Sequence, residues 1–320
     1  MESRFKMTRF QQILSVALVV QLALAVWVFW PQAPASAGGP LLPGFEPGQV
    51  TALVISDNSD NRLALARQGE GWVLPEADDF PAKGDAVTSL LDKLSRIQAT
   101  RLVAQTEASY PRLQVADSDF SRKLELTLSD GSTRELYVGS AAGAGAVHVR
   151  TAGAPQVYLT NEVSSFDANA TAGSWIDTLY FSVPATATTR LTLENSNGTF
   201  VFTRGVTDTW ELAGLAAGET LDSGEVTRLL NTVQSVRMTE PLGTAQDATF
   251  GLDEPLATVT LQTADGDYTL QVGAKNEDDG SYVLKASHSP YIVRVGAIVG
   301  DALADKARAD FLQAPEEAAE

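Results

Sequence analysis

The chain has 320 residues, 44% hydrophobic and 20% charged, with a formal charge of −17 and no cysteine. That much apolar residue content suits two ordinary domains rather than a disordered polymer. The missing thiol excludes disulfides, cysteine nucleophiles, Cys-ligated metals and a lipid-modified N-terminal cysteine; the acidity argues against nucleic acid as a partner.

The charge is unevenly placed. The first thirty residues hold Arg4, Lys6 and Arg9 against Glu2, a net +2, so the remainder carries −19. After a short basic segment (1–11), Ile13 to Trp30 is an eighteen-residue run broken only by Ser15 and Gln21. At helical rise it is about 27 Å long, close to the hydrocarbon thickness of a bilayer. Basic residues precede it, and Trp27, Phe29 and Trp30 close it. The expectation is a transmembrane helix over 12–30, single-pass in a bacterial inner membrane, N-terminus cytoplasmic and body periplasmic. A cleaved signal peptide is the alternative, because Ala35-Ser36-Ala37 resembles a cleavage site. Residues 31–48, rich in Pro, Gly and Ala, read as a linker.

Beyond the linker the sequence says most things twice. Val87, Leu90, Leu91, Leu94 and Ile97 draw one apolar stripe along a helix, and Val226, Leu229, Leu230, Val233 and Val236 draw the same stripe 139 residues later. Strands are predicted before each helix, from Val50 to Ile55 and Leu63 to Arg67, then Leu191 to Leu193 and Thr199 to Arg204. Trp72 and Trp210 lie 138 apart and read as core covers. After each helix comes an alternating apolar hairpin, with Asp130-Gly131 at one tip and Asp265-Gly266 at the other, which points to type I′ turns. Two further strands follow in each copy, and each copy is expected to close with a short helix, near Glu162 to Asn169 and near Ala297 to Lys306. The fold class is therefore α+β: two tandem duplicated domains, each a mainly antiparallel sheet with one long and one short helix. The boundaries fall at 49–183 and 184–314, with an acidic tail at 315–320.

Chemistry is harder to find. His148 and His288 are not at equivalent positions and have no metal-ligand spacing, so both read as surface histidines rather than a zinc site. Asp57-Asn58-Ser59-Asp60-Asn61 has alternating oxygen ligands but lacks the glycine and glutamate of a calcium loop, and a hairpin turn accounts for it better. Asn276 to Gly280 reads likewise as a polar turn. Gly139 to Gly145 is glycine-rich without the Lys-Ser/Thr of a phosphate loop, and reads as a flexible connection. Asp117 and Asp119 are one carboxylate pair among many in an acidic chain. No catalytic, cofactor-binding or metal-binding residues are assigned.

The N-terminal apolar helix, Trp72-Val73-Leu74, the first amphipathic helix, the Asp-Gly hairpin and Val138-Gly139 together resemble the bacterial DUF4340 family. Trp210-Glu211-Leu212, Phe250-Gly251-Leu252-Asp253-Glu254-Pro255, Val272-Gly273 and Tyr282-Val283 resemble it in the second copy. The first copy departs where Arg112-Leu113 stands for the Gly-Leu of the second. The resemblance implies an uncharacterised, membrane-tethered extracytoplasmic protein grouped with gliding-motility-type ABC export systems, and it brings no catalytic residues. The expected function is that of a non-enzymatic accessory or scaffold protein of an ABC-type envelope transport system, its partners being the inner membrane and membrane proteins of that complex. A periplasmic ligand-binding module, for example for polysaccharide, and an envelope hydrolase are the alternatives. The first of these needs an exposed aromatic groove between the repeats.

Overall fold

The computed structural model describes residues 38–314. The expected transmembrane helix and the acidic tail lie outside them. Among the described residues no helix is long and apolar enough to cross a membrane.

The first repeat runs β1 (Val50–Asp57), β2 (Arg62–Gln68), β3 (Gly71–Leu74), β4 (Phe80–Ala82), α1 (Gly84–Arg96), β5 (Leu102–Ala104), α2 (Tyr110–Leu113), β6 (Arg122–Leu128), β7 (Thr133–Gly143), β8 (Ala146–Thr151) and β9 (Val157–Thr160). A strand from the connecting segment follows, β10 (Leu179–Ser182). The second repeat runs β11 (Thr188–Asn195), β12 (Gly198–Arg204), β13 (Trp210–Leu212), α3 (Ser223–Gln234), β14 (Ser235–Gly243), β15 (Ala257–Thr263), β16 (Gly266–Lys275), β17 (Tyr282–Ala286), β18 (Ile292–Val295) and α4 (Ala297–Ala304).

These strands build two nine-stranded sheets, antiparallel throughout, ordered β4-β3-β2-β1-β6-β7-β8-β9-β5 and β13-β12-β11-β15-β16-β17-β18-β14-β10. Read in that direction, β3 to β5 of the first match β13 to β14 of the second, strand for strand. Even the irregularities repeat: a bulge interrupts β1 between Val50 and Ala52, and β11 between Thr188 and Arg190. Alternation explains the strands. Leu53, Ile55, Leu124 and Leu126 are buried on one face, while their neighbours in sequence stay partly exposed.

Both long helices bury the stripe that the sequence predicts, Val87, Leu90, Leu91 and Leu94 in α1 and Val226, Leu229, Leu230 and Val233 in α3. Their starts differ in chemistry. Asp222 caps α3 by accepting from the N–H groups of Gly224 and Glu225 at 2.8 and 3.2 Å. Lys83 stands at the same position before α1 and supplies no side-chain cap. The backbone contact at both starts is nevertheless conserved within the chain: Lys83 N donates to the Trp175 carbonyl, and Asp222 N to that of Phe311. Trp175 and Phe311 are thus counterparts, each buried at the end of its repeat.

Four expectations need correction. The segment near Glu162 to Asn169 is a run of turns, whereas α4 forms as predicted. The reason is local: the Asp167 carboxylate accepts from both the N–H and the hydroxyl of Ser164, an alternative to helical bonding that Ser and Asp favour. The Asp-Gly hairpins are present, but only the glycines lie at positive φ (Gly131 82°, Gly266 132°), so neither turn is type I′. The glycine-rich stretch is not a loose connection. It continues β7 as far as Gly143 and turns at Ala144-Gly145. Finally, Leu41, Leu42 and Phe45, inside the stretch read as linker, are buried in the core, and Leu41 N donates to the Ile97 carbonyl.

Candidate functional site

A polar region is built where the two repeats meet. Asp78 and Asp79 follow a 3-10 turn at Pro75–Ala77, both in the left-handed region (φ 52° and 59°). That geometry, tolerated by Asp better than by most residues, aims Asp78 at the second repeat. Its carboxylate accepts from the Thr244 N–H at 2.6 Å and the Thr244 hydroxyl at 2.8 Å. These bonds hold the Asp78 carboxyl below its ordinary pKa. Beside this clamp, the Phe80 ring meets the edge of Tyr291 at 4.7 Å between centroids. Tyr180, on β10, donates to the Tyr291 carbonyl at 2.7 Å and accepts from Ala286 N–H at 2.9 Å. Burial pushes its phenol upward in pKa. β10 itself pairs with β14, so the end of the first repeat is a strand of the second sheet. One buried apolar cluster includes residues of both repeats.

Against this junction lies a cleft of about 400 Å³, lined among others by Arg62, Thr171, Thr239, Asp279, Ser281 and Arg294. Arg294 Nε donates to the Glu240 carboxylate at 2.9 Å, and the Asp279 carboxylate accepts from the Ser281 hydroxyl. The cleft is amphoteric, and no aromatic ring is among its walls. The tryptophans that would have made a stacking platform are elsewhere. Trp72 and Trp175 are each only 3% exposed, and Trp210 is half-buried against the core.

The residues singled out in sequence are kept apart. His148, expected at the surface, is instead buried, with Nδ1 donating to the Ser140 carbonyl at 2.8 Å, whereas His288 is exposed and packs against Tyr268 in the other repeat. Asp57 spends its carboxylate on Ser59 N–H, Asn61 N–H and the Asn61 amide, which makes the segment a hairpin turn. Asn276 accepts from Asp278 N–H in the same manner. Asp117 pairs with Arg150, whose guanidinium is sandwiched between the rings of Tyr110 and Tyr137 at 4.4 and 4.5 Å. Asp119 only closes a local turn through its carbonyl. Among the described residues no group of three or more His, Cys, Asp or Glu is placed to hold a metal.

One cluster had no sequence signal, because its members are 26 residues apart and no motif links them. Tyr282 donates to the Asp301 carboxylate at 2.6 Å, Lys275 Nζ does so at 3.1 Å, and Lys275 lies 5.0 Å from the Tyr282 ring centroid. The Tyr282 hydroxyl and the Lys275 ammonium lower the Asp301 pKa, the Tyr282 hydroxyl and then the Asp301 carboxylate raise that of Lys275, and burial raises that of Tyr282. Every shift moves its group away from neutrality. General acid–base work at pH 7 asks for the opposite. The three side chains tie α4 to its sheet.

The architecture defines a class: a tandem α+β protein whose two antiparallel sheets each cradle a long helix. Within that class the chain belongs to one family. The family described as Domain of unknown function (DUF4340) matches residues 72–249 and again 220–313. No curated protein matches the chain. No solved structure does either. The short family signatures have a physical basis here. A Cβ added to Gly139 would overlap the Leu113 carbonyl, and one added to Gly273 the Phe250 carbonyl. Each Val-Gly pair thus lets a back-face segment lie directly on its sheet. The packing also revises the point at which the first copy departs. Gln114 (φ 55°), not Arg112, occupies the left-handed position of Gly251 (φ 64°), and Val115 stands for Leu252.

Proposed function

We propose that this protein is a membrane-anchored periplasmic accessory protein that works by contact, as an auxiliary component of an ABC-type envelope transport system. The observation that carries the reading is the junction: a shared strand, a carboxylate clamp and an aromatic contact join two repeats into one body. A body of that kind holds a surface at a set distance from its tether. The Ile13 to Trp30 run supplies the tether, and its flanking charges orient it. The ionisable cluster driven from neutrality and the turn-bound carboxylates favour contact over turnover. Anchoring raises the effective concentration of the body beside other membrane proteins, and its −19 charge favours basic faces on them.

The test compares the detergent-solubilised full-length chain with a form lacking residues 1–37. The full chain should recover a membrane protein of a transport complex, and the shortened one should recover less of it. If neither recovers such a partner while the shortened form turns over an envelope substrate, the hydrolase reading replaces this one.

A further inference from the structure

The cleft at the junction is walled by both repeats: Arg62 and Ala170 to Ala172 come from the first, and Glu240, Asp279, Ser281 and Arg294 from the second. The charged wall of the second repeat is an addition to the shared fold. Arg294 pairs with Val283 as Leu159 pairs with His148, so Leu159 holds the place of Arg294 in the first repeat. By the same register Ser281, just before Tyr282, answers to Ala146, just before Val147. Opposite Arg294 on β14 stands Glu240; opposite Leu159 stands Arg101, whose carbonyl accepts from the Leu159 N–H. The same strands therefore form with Leu159, Ala146 and Arg101. Sheet formation does not require the charged set.

That wall is held in place by its own bonds. Arg294 Nε donates to Glu240 at 2.9 Å and Nη1 to the Ser281 hydroxyl oxygen at 3.4 Å. Ser281 in turn donates to Asp279 from its N–H at 2.9 Å and its hydroxyl at 2.6 Å. A guanidinium carries five donors in a plane, so a fork oriented in this way still has donors for a carboxylate. The first repeat brings a second guanidinium, that of Arg62, bound to Glu76. The lining thus carries two positive groups, Arg62 and Arg294, and two negative ones, Glu240 and Asp279. A simple anion would be set against the carboxylates and a simple cation against the guanidiniums. A molecule with one charge of each sign meets a complement at both ends. The apolar part of the wall is Leu63, Ala170 and Ala172, which suits small aliphatic side chains, and about 400 Å³ is at the small end of ligand sites. We propose that this cleft binds a small zwitterion, an amino acid or short peptide with free termini. Its carboxylate lies on the arginines and its ammonium on Glu240 and Asp279. Such a ligand touches both repeats, so it stabilises the junction between them. The inference stands beside the accessory reading and does not depend on it.

Isothermal titration of the detergent-solubilised full-length chain with L-alanyl-L-alanine tests it. Saturable binding at one site per chain is expected, with a thermal midpoint that rises as dipeptide is added. The same dipeptide acetylated and amidated at its ends, succinate, and 1,4-diaminobutane should each bind at least tenfold more weakly. Arg294→Lys keeps the charge but loses the fork, and should weaken dipeptide binding at least tenfold. Arg62→Ala, at an exposed position, should do the same while the ligand-free midpoint stays within a few degrees, which keeps the test decisive if the first variant does not fold. No binding at millimolar dipeptide, or equal binding of the capped form or of either single-sign ion, would overturn the proposal. So would binding left unaltered by either folded variant. Binding seen only in the form lacking residues 1–37 would overturn it as well, because the chain's own N-terminal segment would then be the occupant.

Discussion

Gly139 and Gly273 are the residues at which each sheet has least room. Replacing either by Ala forces a methyl group into a backbone carbonyl rather than into a flexible side chain. Gly139→Ala and Gly273→Ala should each destabilise the protein by about 1–3 kcal/mol in urea unfolding, the range of overpacked cores. An unchanged midpoint in both would mean that the back-face segments lift away freely. Leu90→Ala and Leu229→Ala, at matched buried positions on α1 and α3, should each cost about 2–5 kcal/mol. A loss at only one would show that the copies no longer depend equally on their helices.

At the scale of elements, α4 is tethered by a carboxylate whose pKa is depressed from the ordinary 3.8. The sign follows from that depression. Stability from the Asp301 bonds is present above the unfolded-state pKa and is lost as pH falls through the lower folded-state value. Amide exchange in α4 should therefore be insensitive to pH-dependent unfolding near neutrality and accelerate, relative to α3, in strong acid. Asp301→Asn should loosen α4 at pH 7 and flatten that acid response; an acid response retained in the variant would place its origin elsewhere. The helices and most strands were legible because their apolar periods, 3.6 and 2, follow from which face is buried. What was not legible depends on partners distant in sequence. The Trp175 and Phe311 carbonyls, the Asp78 clamp and the Lys275–Tyr282–Asp301 tie each join residues that no local pattern connects. The turn at Ser164–Asp167 is illegible for the converse reason: its own side chains take up backbone groups that a helix would use.

For the whole molecule, a shared cluster of buried residues predicts a single cooperative unfolding transition. Far-ultraviolet circular dichroism and tryptophan fluorescence should report coincident midpoints, since Trp72 and Trp175 sit in one repeat and Trp210 in the other. Two separated transitions would show that the junction is weaker than the repeats it joins. Charge acts at this scale too. With −19 beyond residue 30, association with a basic partner face should weaken as salt rises from about 50 to 500 mM, where screening shortens from over 10 Å to a few ångströms. Salt-independent recovery would point to an apolar contact.

The strand β10 carries a consequence for how the chain comes into being. It is made with the first half of the protein but completes the sheet of the second, where Ser182 lies opposite Ser235, fifty-three residues downstream (235 minus 182). At synthesis rates of about 5–20 residues per second, it waits roughly 3–11 s for its mate to emerge. During that interval Leu179, Tyr180 and Phe181 form an unsatisfied border behind an otherwise finished unit. A gene cut at residue 183 makes this interval permanent: the first fragment keeps a strand without a sheet, and the second keeps a sheet without its border. A division that respects the architecture would fall before Leu179, not after Val183, although the sequence repeat suggests the later point.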